Sequence, residues 1–161
     1  MSSFDRRTIL LGAVALGACG FEPVYAPGSA ARDLFGAIAV DPPSDAVGFV
    51  LVNELERRFG EPTAPRYRLT ASIAMREDSV GVTADQTISR FRLQGRADYA
   101  VIDLGTGARL TGGRARSFTT YAATSTTVAT RSARIDAERR LMVILADQIV
   151  SRLSVTAESW A

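Results

Sequence analysis

From Arg66 onward the chain takes up a period of two. Tyr67, Leu69, Ala71, Ile73 and Met75 alternate with Arg66, Arg68, Thr70, Ser72 and Arg76. Successive side chains of a strand point to opposite faces, so such a segment needs a sheet with one face buried and the other wet. A second segment after Asp85 repeats the pattern, with Phe91, Leu93, Ala97, Tyr99 and Val101 set against Arg90, Arg92, Gln94, Arg96 and Asp98. Gly95 marks a candidate bulge within it. Leu104-Gly105-Thr106-Gly107 is a turn signal. Arg109 to Tyr121 then reads as the returning strand of a hairpin, its register disturbed by Gly112-Gly113.

Helical periods flank these strands. Val47, Leu51, Leu55 and Phe59 recur every four residues behind the N-cap candidates Ser44 and Asp45, and Gly60 offers the stop, with Pro62 and Pro65 beyond. Gly48 inside this helix costs up to about 1 kcal/mol relative to Ala. Leu34 to Val40 is a short apolar run closed by Asp41-Pro42-Pro43, which predicts a buried first strand. Thr119 to Thr130 is rich in Thr, Ser and Ala and reads as a loop or a frayed strand end. Arg131 to Leu153 predicts a long final helix, with Ile135, Leu141, Met142, Leu145, Ile149 and Leu153 on its apolar stripe. The expected order is β-α-β-β-β-α, an α+β two-layer sandwich with two helices packed on a mostly antiparallel four-stranded sheet.

The N-terminus has a different logic. Arg6-Arg7 precede the apolar run Thr8 to Leu16, well short of the roughly 20 residues a spanning helix requires. The run ends at Leu16-Gly17-Ala18-Cys19, which resembles the bacterial lipobox, so residues 1–18 are expected to be a lipoprotein signal peptide and Cys19 the lipidated first mature residue. Asp5 before the arginine pair points to ordinary Sec export rather than the twin-arginine route. Residues 19–33, with Pro23, Pro27, Gly20 and Gly28, read as a lipidated tether, and 34–161 as the domain. Acyl chains contribute about 0.8 kcal/mol per buried CH₂, and two or more hold a protein stably on its membrane. By resemblance to bacterial sorting rules, Gly20 rather than Asp after the cysteine points to the periplasmic face of the outer membrane.

Composition narrows the chemistry. Histidine is absent, and the sole cysteine is assigned to lipid, so the commonest general base, metal ligand and disulfide all fall away. A net charge of +2 is no polycation and gives no case for nucleic acid. No nucleophile elbow, phosphate-binding loop or metal-ligand spacing occurs, and Gly105-Thr106-Gly107 reads as a turn. No catalytic residue, metal or cofactor is therefore expected. Glu77, Asp78 and Asp85 could form a carboxylate pair or calcium site, but their place between two strands reads as solvated turn. All 19 basic residues are arginine, whose planar fork suits phosphate and carboxylate, although a GC-rich genome yields the same bias. Arg90, Arg92 and Arg96 share one side of a strand and could neighbour Arg66, Arg68, Arg114 or Arg116. Such a cluster invites an anionic partner, whereas acids interspersed from neighbouring strands would make it an ordinary solvated face.

The lipobox running into Gly20-Phe21-Glu22-Pro23-Val24-Tyr25, the mature length and the element order resemble the LPS-assembly lipoprotein family, often written LptE. That resemblance implies a non-enzymatic protein seated in the lumen of an outer-membrane β-barrel LPS-assembly protein (LptD-like), assisting the barrel's assembly and binding lipopolysaccharide on its way to the cell surface. Arg90, Arg92, Arg96, Arg114 and Arg116 are the lipopolysaccharide-binding candidates, taken from strand geometry rather than from a family motif. The competing classes are an auxiliary lipoprotein of another envelope transport or cell-wall synthesis complex, and a hydrolase using buried carboxylates.

Overall fold

The computed structural model describes residues 25–43, 45–82, 88–123 and 126–161, with backbone alone at 82 and 88. Residues 1–24, among them the signal segment and Cys19, and Asp85 lie outside the described residues. The elements are α1 Ala30–Asp33, β1 Ile38–Val40, α2 Ala46–Phe59, β2 Tyr67–Val82, β3 Ile88–Asp103, β4 Arg109–Ala122 and α3 Thr127–Val155, followed by a 3₁₀ turn at Ala157–Ser159.

The strands form one sheet in the order β1-β2-β3-β4. β1 runs parallel to β2, which α2 makes possible by carrying the chain back to the same end, and the other pairings are antiparallel. The expected α+β sandwich is thus formed, with α1 as an addition. α2 and α3 pack on one face, where Leu69, Leu93, Ala97, Val101 and Ala115 meet Leu51, Leu55, Leu141, Leu145 and Ile149 in a single core. An ion pair between Arg58 and Asp147 joins the two helices at their rim.

Helix α2 begins where its cap predicts. The Asp45 Oδ1 accepts from the Gly48 N–H at 2.6 Å, and Gly60 ends the helix at a φ of 79°. The first strand is shorter than the apolar run suggested. Gly36 sits at a φ of 72° and donates its N–H to the Phe59 carbonyl at 2.8 Å, so 34–37 form a turn and only Ile38–Val40 extend. Leu34 still reaches the core, buried from that turn.

Three expectations about the hairpins are corrected. Gly95 is no bulge: it pairs in register with Met75 and Ser117, and the irregularity in β2 lies at 79–82. A Cβ at Gly95 would stand 2.8 Å from Leu141 Cδ2, so the missing side chain is what lets α3 approach the sheet. Gly112 and Gly113 also pair regularly, the shift falling at Val101/Ile102, and the Tyr99 ring lies over Gly113. Glu77 and Asp78 are not turn residues, because β2 continues to Val82. Glu77 tolerates its place by accepting from the Tyr121 hydroxyl at 2.9 Å and pairing with Arg134 at 3.2 Å.

The Thr-rich segment is mostly ordered structure. β4 runs to Ala122, and the Thr126 hydroxyl caps α3 by accepting from the Ala129 N–H at 3.3 Å. Helix α3 therefore exceeds the predicted span at both ends. Ile135 leaves the expected apolar stripe, being 52% exposed, because the buried face of α3 begins only at Ala137.

The two long edges of the sheet differ. Along β4, α3 supplies partners for outward backbone groups: the Arg116 N–H donates to Gln148 Oε1 at 3.3 Å, Arg140 donates to the Thr120 carbonyl at 3.4 Å, and Arg152 donates to that of Arg114. The strand β2 is paired by β1 only over Tyr67 to Leu69.

Candidate functional site

The face of the sheet away from the helices is uncovered. Side chains reach it from alternate positions of three strands, and the register decides which of them meet. Arg96 faces Ala74 on β2 and Arg116 on β4, Asp98 faces Ser72 and Arg114, and Arg92 faces Asp78 and Thr120. Arg90 pairs with Gly81 and Ala122, near the far end of the strands. All five predicted arginines therefore share the face, though six residues of strand, roughly 20 Å, separate Arg90 from Arg96.

Arg66 does not join them. It precedes β2, at the opposite end, and its guanidinium lies 5.3 Å from the centre of the Tyr67 ring. Arg68 is opposite Ile102, six residues along the strand from Ala74, and stands apart as well. Arg76 completes the group instead, from the position opposite Gln94. Its parity with Arg66 and Arg68 is the sequence signal that would have placed it. Phe118, 60% exposed, was also missed; it lies opposite Gln94, with the Arg92 guanidinium 5.5 Å from its ring centre.

Two acids share this stretch of the face with Arg76, Arg90, Arg92, Arg96, Arg114 and Arg116. Asp98 pairs with Arg114 and, at 2.9 Å, with Arg96. The hydrogen bond from Arg114, helped by the charges of Arg114, Arg96 and Arg116, holds the Asp98 carboxyl below its ordinary range. Asp78 accepts from Arg76 at 2.8 Å and from Gln94 Nε2 at 2.7 Å. The face is thus neither a bare arginine cluster nor a balanced one: six cations stand against two anions. Arg92 and Arg116 form no ion pair among the described residues.

Between β2 and β4 the small side chain of Ala74 leaves a depression of about 270 Å³ floored by the backbone at Gly95 and rimmed by Arg76, Gln94, Arg96 and Arg116. An anion seated there would meet guanidinium forks from three strands, with an exposed aromatic ring nearby. The arrangement suits a ligand carrying both phosphate and apolar parts. It contains no nucleophile paired with a base, and among the described residues no cluster of three metal-ligating groups occurs. No described helix is long and apolar enough to cross a membrane.

Residues 35–153 match the profile of the family described as LptE: Lipopolysaccharide-assembly. The chain belongs to this family. LptE proteins are lipoproteins without enzymatic activity. No curated protein matches the sequence. Among solved structures, a candidate lipoprotein of Caulobacter crescentus superposes with a TM-score of 0.67 at 21% identity, covering 80% of this chain and 96% of that one. The rare lipoprotein B of Shewanella oneidensis gives 0.57 at 11% identity, covering 74% and 93%. A minor lipoprotein of Acinetobacter baumannii gives 0.53 at 16%, covering 74% and 89%. At these identities the likeness is one of fold. The LptE match covers all three long strands and nearly all of α3, and so includes the arginine face; the run from Cys19 to Tyr25 lies outside it.

Proposed function

We propose that this LptE family member is an outer-membrane lipoprotein that binds lipopolysaccharide on its open arginine face and helps assemble and plug a β-barrel translocon of the LptD kind. Residues 1–18 serve as the signal peptide, Cys19 carries the acyl chains, residues 19–33 link the anchor to the domain, and 34–161 form the domain that meets barrel and ligand. The protein catalyses no reaction. Family membership supports the assembly role. The observation that carries the ligand reading is the excess of arginine beside an exposed phenylalanine, since lipid A joins phosphates to acyl chains.

The arginines have graded parts in this reading. Arg116, outside any ion pair among the described residues, holds a phosphate at the depression together with Arg96 and Arg76, which also contact Asp98 and Asp78; Arg114 is held by Asp98, Arg92 lies against Phe118, and Arg90 extends the site beyond it. The double variant Arg96→Glu/Arg116→Glu is expected to lose lipopolysaccharide binding at moderate salt while keeping a cooperative thermal transition. Unchanged binding would refute the site. Co-purification with a large β-barrel from outer membranes tests the partner, and recovery with an inner-membrane complex instead would overturn that part. Replacing Cys19 by Ala should leave uncleaved precursor in the inner membrane.

A further inference from the structure

At the end of the sandwich where β1 begins and α3 finishes, several apolar side chains are left out of the core. Tyr25 and Phe35 are 50% and 47% exposed, their rings 5.8 Å apart at an interplanar angle of 66°. The Tyr25 hydroxyl and Ser154 Oγ lie 3.2 Å apart, which fixes the ring against the last turn of α3. Val155, the last residue of that helix, is 67% exposed. Arg32 borders a depression of about 420 Å³ shared with Tyr25 and Phe35. Leu104, 45% exposed, belongs to the same end, since its N–H donates to the Arg66 carbonyl while the Arg66 N–H donates to that of Ala37.

An exposed pair of rings, one with a hydroxyl, beside a guanidinium is the combination that settles at the boundary between lipid headgroups and acyl chains. Chain length says which surface is within reach. Six peptide steps separate Cys19 from Tyr25 and span at most about 20 Å. Helix α3, at 1.5 Å per residue, runs about 40 Å from this end to Thr127. A bilayer holding Cys19 therefore lies within range of Tyr25 and Phe35 and is far from Val128.

We propose that, until a barrel encloses the domain, this end rests on the leaflet that holds the acyl chains of Cys19, with Tyr25 and Phe35 seated among the headgroups and Arg32 on lipid phosphate. The inference rests on the anchoring of Cys19 proposed above and adds an orientation to it. The lipid and the rings make two points of attachment, so the domain stands on the membrane with the Thr127 end of α3 pointing away, and does not swing freely on its tether.

The test uses the full lipoprotein in which Trp160, the sole tryptophan, is replaced by Phe and a new one is placed by Phe35→Trp, Tyr25→Trp or Val128→Trp. Each variant is reconstituted into vesicles of phosphatidylethanolamine and phosphatidylglycerol with brominated acyl chains, after intact mass has established acylation and circular dichroism a cooperative fold. Emission from positions 35 and 25 is expected to be quenched relative to unbrominated vesicles, and emission from 128 to be unchanged. Acylated protein with no quenching at 35 and 25, because solvent or a second copy covers the rings, overturns the inference and leaves the anchor standing. Equal quenching at all three positions overturns it too, since the domain would then lie flat. A mass without acyl chains overturns the anchor and the inference together.

Discussion

Arg96 and Arg116 occupy directly opposed positions on β3 and β4, two cations across a ladder whose neighbouring pair, Asp98 and Arg114, is of opposite sign. Like charges so placed destabilise a sheet, and the fold offsets only one of them, through the Asp98 contact to Arg96. The opposed pair is therefore a structural cost held at the site of proposed binding. Arg116→Thr is expected to raise stability by about 0.5 kcal/mol in urea unfolding while weakening lipopolysaccharide binding. A variant that loses both would show that Arg116 acts through packing.

Asp98 sets the strength of that field. Asp98→Asn removes the anion that occupies Arg114 and Arg96, and binding of lipopolysaccharide should tighten by about fivefold at low salt, with a steeper salt dependence. Because its folded-state carboxyl titrates below the ordinary range, its contribution to stability is present above about pH 4 and is lost as pH falls through the depressed value. The stability difference between the parent and Asp98→Asn should close over that acidic window. A carboxyl resonance titrating at the ordinary Asp position in NMR would contradict the pairing.

Tyr121 behaves oppositely at the alkaline end. Burial first, then the hydrogen bond to Glu77, push its hydroxyl up to about 12. With the unfolded phenol near 10, the neutral side chain stabilises the fold fully below about pH 10, and this is lost as pH rises toward 12. Absorbance titration should show a late tyrosine ionisation that Tyr121→Phe removes. Retention of the late step in that variant would assign it elsewhere.

Gly95 supports the packing of α3. A side chain there meets Leu141 and Leu145, both fully buried, so Gly95→Val should cost about 1–3 kcal/mol in urea unfolding through overpacking. The companion change Leu141→Ala, made in the Gly95→Val background, should recover part of the loss, as it opens the space the new methyls need. Additive destabilisation would mean the two positions do not touch.

The fold was largely legible because its two periods are clean. Tyr67 to Met75 and Phe91 to Val101 could only be strands with one wet face, and Asp45 and Gly60 bracket α2 as their chemistry requires. What could not be read were relations between strands. Alternation puts Arg90, Arg92 and Arg96 on one side of β3, but only the register sets Arg96 against Arg116 and Asp98 against Arg114. Glu77 looked like turn because a carboxylate inside a strand makes sense only once Tyr121 and Arg134 are seen beside it. Gly95 looked like a bulge because its reason for being glycine lies on another element, at Leu141. Phe118 drew no notice because its exposure follows from the open face and not from its neighbours in sequence.

The side chains of Gln148, Arg140 and Arg152 along β4 bear on where such a domain can safely work. A bare strand edge invites the next strand it meets. A domain whose proposed seat is inside a ring of β-strands, and which would accompany that ring while it closes, is in danger of being stitched into the wall as one more strand. Helix α3 forestalls this on the β4 side by giving outward amide and carbonyl groups partners of their own, so the domain can be enclosed by a barrel without becoming part of it.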